Sequence, residues 1–153
     1  MIPELGQLAL VLALLVATVQ GVVPLVGAAR RDATLMAFAR PAAITQFALV
    51  ALAFGCLAAS FLASDFSVAN VAQNSFSALP APYKLAASWG SHEGSLLLWA
   101  LMLGGWSCAV ALRSKNLPAP MLARVLAVMG LVAVGFLLFL LLTSNPFERL
   151  VPA

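Results

Sequence analysis

One stretch of the sequence contains most of the side chains that could take part in chemistry. The single histidine, His92, stands beside the carboxylate of Glu93. An imidazole can ligate a metal, relay a proton or hydrogen-bond, and an acid in the first turn of a helix complements the helix dipole. Tryptophans flank the pair in the order Trp89-Gly90-Ser91-His92-Glu93-Gly94-Ser95-Leu96-Leu97-Leu98-Trp99. We refer to residues 89–99 as the His-Glu segment.

Three interpretations of the His-Glu segment are open at this stage. It could cap a helix and pack an interface, line a surface for a cofactor or partner, or ligate a metal or haem directly through His92. Neighbouring residues on a helix face different directions, so Glu93 is not expected to orient His92. A lone histidine does not define a metal site, and the sequence contains no nucleophile–base pair. We therefore predict no catalytic residue and no metal site, and take Trp89, His92, Glu93, Trp99 and Trp106 as candidates for a haem or partner surface.

The spacing beyond His92 indicates one face of a helix. If a helix begins near Ser91, large or polar side chains recur every three or four residues and line one side of it. The opposite side holds Leu97, Leu101 and Cys108, which suit lipid or a neighbouring helix. The recurring residues are His92, Ser95, Trp99, Met102 and Trp106.

The elements that must position this segment are membrane helices. Hydrophobic residues make up 63% of the chain, charged residues only 8%, and the mean hydropathy is +1.06. Four stretches contain no charged residue, namely 5–29, 41–64, 94–112 and 125–147. Each is close to the ~20 residues that cross the hydrocarbon as a helix. We predict an all-α, polytopic membrane protein with an outer loop between helices two and three. The first run is expected to remain as a span, because Glu4 replaces the positive start of a signal peptide. The predicted helices lie near 6–28, 42–63, 94–112 and 125–143.

The basic residues predict the orientation. Six of the eight Lys and Arg residues fall between helices one and two or between helices three and four. The positive-inside rule places both of these loops in the cytoplasm of a bacterium, with the inner membrane as the location. The N-terminus, the C-terminus and the segment 64–93, here called the outer segment, then face the periplasm. Because topology accounts for the net charge of +3, no nucleic-acid partner is expected.

Other polar residues and the outer segment allow weaker predictions. Gln20 and Gln46 lie at lipid depth and should each find a partner on a neighbouring helix, either as interhelical contacts or near a cavity. Cys56 and Cys108 are expected to act as small apolar residues. Within the outer segment, 65–68 alternates like a strand and 67–77 shows helical spacing, and the sequence does not decide between them. Residues 79–82 predict an extended turn.

The His-Glu segment resembles the Trp-Gly-x-His-Glu-Gly-Ser-Leu-Leu-Leu-Trp signature of CcmF, the membrane subunit of bacterial cytochrome c haem lyase. The similarity extends over essentially the whole chain. Other parts of the chain also look like the corresponding parts of that family. They are the start at 1–6, residues 65–75 of the outer segment, and the fourth span with its exit, 123–130 and 143–147.

The resemblance implies a protein that helps attach haem to apocytochrome c. Its implied partners are CcmH-type and CcmE-type maturation factors, apocytochrome c and the lipid bilayer. Family members continue with a tryptophan-rich periplasmic segment and with haem-holding histidines, none of which matches residues of this chain. His92 corresponds to no recognised haem ligand of the family. We therefore expect a CcmF-like N-terminal portion, either truncated or half of a split protein whose remainder is supplied in trans.

Function follows as a set of expectations. The leading hypothesis is an assembly segment of the haem lyase, inactive alone and without stoichiometric haem, whose His92–Trp106 face packs against the haem-carrying helices. The alternative is a small transporter-like or purely structural helical module, in which Gln20, Gln46 and His92 would line a polar path. Ionisable residues at mid-depth usually mark such pathways, and none falls there.

Overall fold

The structure, a computed structural model, describes residues 1–150 and is helical over most of that range. Four of its helices are long and apolar enough to cross a membrane, which confirms the predicted all-α class. The remaining helices are short and lie in the connections. The seven helices of the described range are α1 Ile2–Arg30, α2 Ala33–Met36, α3 Ala39–Leu62, α4 Ala69–Asn74, α5 Ala81–Gly90, α6 His92–Arg113 and α7 Ala119–Leu142.

The four long helices form an up-and-down bundle. Helix α1 packs against α3 and α7, and α6 packs against the same two helices from the other side. Sequential helices are therefore neighbours, as short connections require. The two ends of the bundle differ in charge. Six of the eight basic residues lie at one end, here called the basic end, and four of the five acidic residues lie at the other, the outer end.

The observed helices are longer than the predicted spans. Helix α7 begins six residues before the predicted position 125, at a proline N-cap, Pro118, with Pro120 in its first turn. Proline suits the start of a helix because the first N–H groups have no intrahelical partner. The prediction took Arg124 as the limit of the apolar run, but the helix continues past that charge. Helix α1 is likewise continuous to Arg30 although Pro24 lies inside it.

Small residues allow the helices to approach closely. Helices α1 and α7 meet where Gly21 faces Gly130, and a Cβ atom on Gly130 would lie 2.9 Å from the Gly21 nitrogen. Because lipid tails are as apolar as leucine, such close packing is a main source of helix association in membranes. The rest of the bundle interior alternates alanine with larger aliphatic residues, including fully buried Leu10, Ala13, Val50, Leu57 and Leu137.

Buried glutamine joins the same two helices. The Gln20 side chain is fully buried, and its Nε2 donates a 2.8 Å hydrogen bond to the backbone oxygen of Leu126. This contact confirms the expected interhelical partner. Gln46 is also buried, but within residues 1–150 its amide has no hydrogen-bond partner. Its Oε1 lies over Gly104 of α6.

An ion-pair cluster fastens the outer end. The Arg149 guanidinium pairs with Glu4 at the start of α1 and lies 3.8 Å from the carboxylate of Asp65. Backbone bonds run from Ala69 N to Glu148 O and from Leu150 N to Ser67 O, both 2.8 Å. The N-terminal helix, the outer segment and residues 147–150 are therefore held together.

The outer segment resolves into two short helices. After an isolated bridge at Val68, α4 occupies Ala69–Asn74. Of the two structures that the sequence left open for residues 65–77, the helix is therefore the one formed over 69–74. Pro80 is extended, as the predicted turn requires, but Ala81 and Pro82 already belong to α5. The prediction of an extended turn was wrong for these two residues, because a proline in the first turn starts a helix as readily as it breaks one.

Candidate functional site

The His-Glu segment forms a corner between two helices. Helix α5 ends at Gly90 and α6 begins at His92, so Ser91 alone joins them, with extended backbone at φ −79° and ψ 160°. The Ser91 hydroxyl oxygen accepts a 3.1 Å hydrogen bond from the backbone N–H of Gly94. This is an N-cap: it satisfies one of the free donors of the first turn. The capping interpretation is therefore visible in the geometry of Ser91.

Gly94 makes the corner possible. A Cβ atom at this position would lie 1.7 Å from the backbone oxygen of Ser88, closer than any nonbonded contact permits. Ser88 is itself buried, and its hydroxyl donates to the Leu85 oxygen at 2.6 Å. The end of α5 thus lies directly against the first turn of α6. At Gly90, by contrast, an added Cβ would meet no atom within 4 Å.

The candidate residues of the corner lie on its surface. His92 is exposed, Glu93 is half-buried and Trp89 has 42% of its surface exposed. The acid in the first turn of α6 complements the positive end of the helix dipole. Among residues 1–150, no group of three His, Cys, Asp or Glu side chains is close enough to hold a metal ion.

The rest of the candidate face runs along α6 and points away from the bundle. Trp99, Met102 and Trp106 have 61%, 55% and 68% of their surface exposed. These large side chains are more exposed than buried, although α6 packs against both α3 and α7. We call His92, Trp99, Met102 and Trp106 the outward face of α6. Ser95, which the spacing also placed there, is half-buried.

The opposite side of α6 faces the interior. Leu97 is fully buried, and Leu101 and Cys108 are partly buried. This agrees with the prediction that these residues contact a neighbouring helix or lipid. Apart from Leu97, the inward face is built from small residues, namely Gly94, Ala100, Gly104, Ser107 and Ala111.

His92 lies apart from the two buried glutamines of the alternative hypothesis. Gln20 and Gln46 are buried in the half of the bundle nearest the basic end, where Ser107 is buried on α6. His92 lies at the outer end, fifteen residues before Ser107, which corresponds to roughly 22 Å along the helix. Buried Leu97 and Ala100 lie on α6 between those two levels. The structure therefore brings no histidine to the buried glutamines.

Sequence reasoning missed the close contact between Ser88 and Gly94. The signal available in the sequence was a serine N-cap, Ser91, followed three residues later by glycine, with a second serine three residues upstream. These spacings acquire meaning only once α5 is known to be a helix, because the helix places the Ser88 oxygen against Gly94.

The fold and this corner define an all-α, multi-pass membrane protein with a bundle of four long helices and an aromatic outward face. No protein-family model matches the chain. Individual proteins that resemble the chain over its whole length are nevertheless known. A cytochrome c-type biogenesis protein CcmF from Pseudomonas aeruginosa is 66% identical over 152 residues, 99% of this chain and 23% of the relative.

Further relatives agree. The Escherichia coli CcmF is 53% identical over 99% of this chain and 24% of the relative, and the Rhizobium meliloti cytochrome c-type biogenesis protein CycK is 53% identical over the whole chain and 23% of the relative. A solved structure described as cytochrome c haem lyase CcmF has a TM-score of 0.90 and 29% identity, covering the whole chain and 26% of that structure. Over its whole length the chain is similar to the N-terminal portion of proteins of the CcmF type. It spans about a quarter of the length of the relatives it matches.

Proposed function

We propose that this chain is the N-terminal helical bundle of a cytochrome c haem lyase and supports haem delivery and attachment to apocytochrome c. The observation that carries the proposal is the outward face of α6. It adjoins the corner formed by the His-Glu segment, and the bundle itself leaves it uncovered. The relatives are about four times as long as this chain, and we assign the cover of this face to the further segments of such a protein.

The occupant of the outward face is the remainder of the CcmF-like protein. Lipid alone would accept any apolar side chain, whereas two tryptophans and a methionine on one helix face supply the large, adaptable contact area typical of protein interfaces. The candidate residues Trp89, His92, Glu93, Trp99 and Trp106 therefore act by contacting the helices that hold haem. His92 hydrogen-bonds within that contact rather than ligating iron.

Membrane orientation follows the charge distribution. The basic end lies in the cytoplasm and the outer end in the periplasm of the bacterial inner membrane, by the positive-inside rule. This orientation places the His-Glu segment on the periplasmic side, where haem would be attached. CcmE-type and CcmH-type factors and apocytochrome c would meet the complete protein on that side.

The proposal is tested by maturation in cells that depend on the protein containing this chain. Trp99→Glu should abolish covalent attachment of haem to cytochrome c, because a charge in an apolar contact is left without a partner. A milder variant, Trp99→Ala with Trp106→Ala, should reduce haem-stained cytochrome c about tenfold, in line with the truncation of interface aromatics. Both are read by haem-stained gels, with immunoblots for the protein itself.

The matched control is on α1. Leu15 and Val22 are also outward-facing, with 58% and 48% of their surface exposed. Leu15→Ala with Val22→Ala truncates two exposed apolar side chains on another face of the bundle and should leave maturation within about twofold, because lipid replaces the lost contacts. Equal maturation in the tryptophan variants and the wild type, at equal protein level, would overturn the packing proposal.

A second experiment tests whether haem is bound by this chain or by the remainder of the protein. The tagged chain is purified gently from its native membrane and studied by mass spectrometry and absorption spectroscopy. We expect haem only when the histidine-bearing remainder of the protein is recovered with it. A low-spin Soret spectrum at one haem per isolated chain would contradict the proposal.

A further inference from the structure

A cavity at the basic end lies far from the His-Glu segment and has no part in the proposed haem chemistry. Its volume is about 350 Å³, and its walls come from α2, α3, α7 and the connection between α6 and α7. Most of its wall is apolar and includes Met36, Leu117 and Leu122. Among the residues that the structure describes, Arg40 contributes the single charged side chain of the wall.

Arg40 is half-buried and only partly satisfied. Its Nη2 donates a 3.1 Å hydrogen bond to the backbone oxygen of Ser114, which holds the side chain between α3 and the α6–α7 connection. A guanidinium has five N–H donors, so several stay available. Within residues 1–150, no carboxylate lies within 4.0 Å of it. A partly desolvated cation without a counter-ion favours an anionic ligand.

The surroundings strengthen this preference. The basic end carries six cationic side chains and one acid, Asp32. The Asp32 carboxylate accepts from the backbone N–H of Thr34 at 2.9 Å, where it caps α2. Ala119, the first residue of the long helix α7, also lines the cavity, and no side chain caps that helix. The positive end of the helix dipole therefore adds to the field of Arg40.

The cavity lies where the long apolar helices begin, which is the level expected for lipid head groups. Arg40 is the second residue of α3 and Ala119 the first of α7, so both stand where the apolar spans end. Basic pockets between membrane helices at this boundary suit the head groups of anionic lipids. We propose that the cavity binds the phosphodiester head group of an anionic phospholipid, with Arg40 holding the phosphate and the apolar wall contacting the glycerol and first acyl carbons.

Native mass spectrometry of the purified protein in detergent tests the proposal. Phosphatidylglycerol and phosphatidylcholine with the same acyl chains are titrated in parallel. We expect the protein to bind phosphatidylglycerol about tenfold more tightly than phosphatidylcholine. Arg40→Gln should lower the affinity for phosphatidylglycerol about tenfold, since a hydrogen bond to a charged group is lost. Arg124→Gln is the matched control: Arg124 is an exposed arginine of the same end that does not line the cavity, and its loss should change retention less than about twofold.

A second variant separates charge from stability. Ala37 is exposed at the rim of the cavity, and Ala37→Trp would fill it without removing a charge. We expect this variant to keep its helical circular dichroism and to lose phosphatidylglycerol. Equal retention of both lipids, or full retention by Arg40→Gln, would overturn the proposal. Complete displacement of phosphatidylglycerol by millimolar inorganic phosphate would overturn the lipid assignment in favour of a free phosphate. None of these readouts depends on haem or maturation.

Discussion

The interior of the bundle and the outward face of α6 follow different rules, although one helix contributes to both. Toward the interior, α6 presents glycine, alanine and serine with one buried leucine, Leu97. Away from it, the same helix presents Trp99, Met102 and Trp106, each more than half exposed. The small residues of the interior allow close approach between helices, whereas the outward face offers area that this bundle does not use. Size therefore separates residues that hold the bundle together from residues available to something else.

The largest expected effect is at the corner. Gly94→Ala should lower the free energy of unfolding by about 3 kcal/mol or more, because the new Cβ would overlap the Ser88 oxygen and force α5 away from α6. Denaturation by SDS in mixed micelles measures it. Gly90→Ala, four residues earlier, adds the same methyl group in open space and should stay within about 0.5 kcal/mol of wild type. Equal effects of the two substitutions would contradict the close contact.

The second effect is at the crossing of α1 and α7. Gly130→Ala places a Cβ 2.9 Å from the Gly21 nitrogen and 3.0 Å from Gln20 Cβ, so the backbones must separate. We expect a loss of about 1–3 kcal/mol in the same assay. Gly135→Ala, on the same helix with no atom within 4 Å, is the control and should be nearly neutral. A stable Gly130→Ala protein would show that this interface tolerates wider spacing.

The third effect compares two buried amides. Gln20→Leu removes the 2.8 Å hydrogen bond to Leu126 and should cost about 0.6–1.7 kcal/mol, the range found for polar contacts between membrane helices. Gln46→Leu removes no hydrogen bond within the described residues and should be neutral or stabilising. If Gln46→Leu were instead the more destabilising of the two, the Gln46 amide would have a partner in the native membrane.

The smallest effect on stability is expected on the outward face. Trp99→Ala should change the unfolding free energy of the isolated bundle by no more than about 0.5 kcal/mol, because the ring makes few contacts within it. In cells the same substitution should lower maturation of cytochrome c. A large stability loss in the isolated bundle would place Trp99 with the interior residues and remove the distinction between the two faces.

The sequence predicted the number and order of the long helices because uncharged runs of membrane length permit few other structures. Helix ends were less predictable. Arg124 was taken as a boundary, yet α7 starts at Ala119, since a helix can continue past the apolar layer into the head groups. Helix α5 was missed entirely, because its ten residues are neither long nor apolar enough to resemble a span, and two prolines near its start suggested a turn.

The sequence by itself determined the class of protein, the family resemblance and the periodic placement of His92, Trp99, Met102 and Trp106 on one side of α6. Composition and spacing are local properties, so they can be obtained from the sequence without knowledge of the fold. Only the tertiary structure decided that this side points outward, that Ser88 closes on Gly94, and that Gln20 reaches Leu126 while Gln46 finds no such bond. Those outcomes depend on which helices are neighbours and at what height, which a 3.6-residue period does not specify.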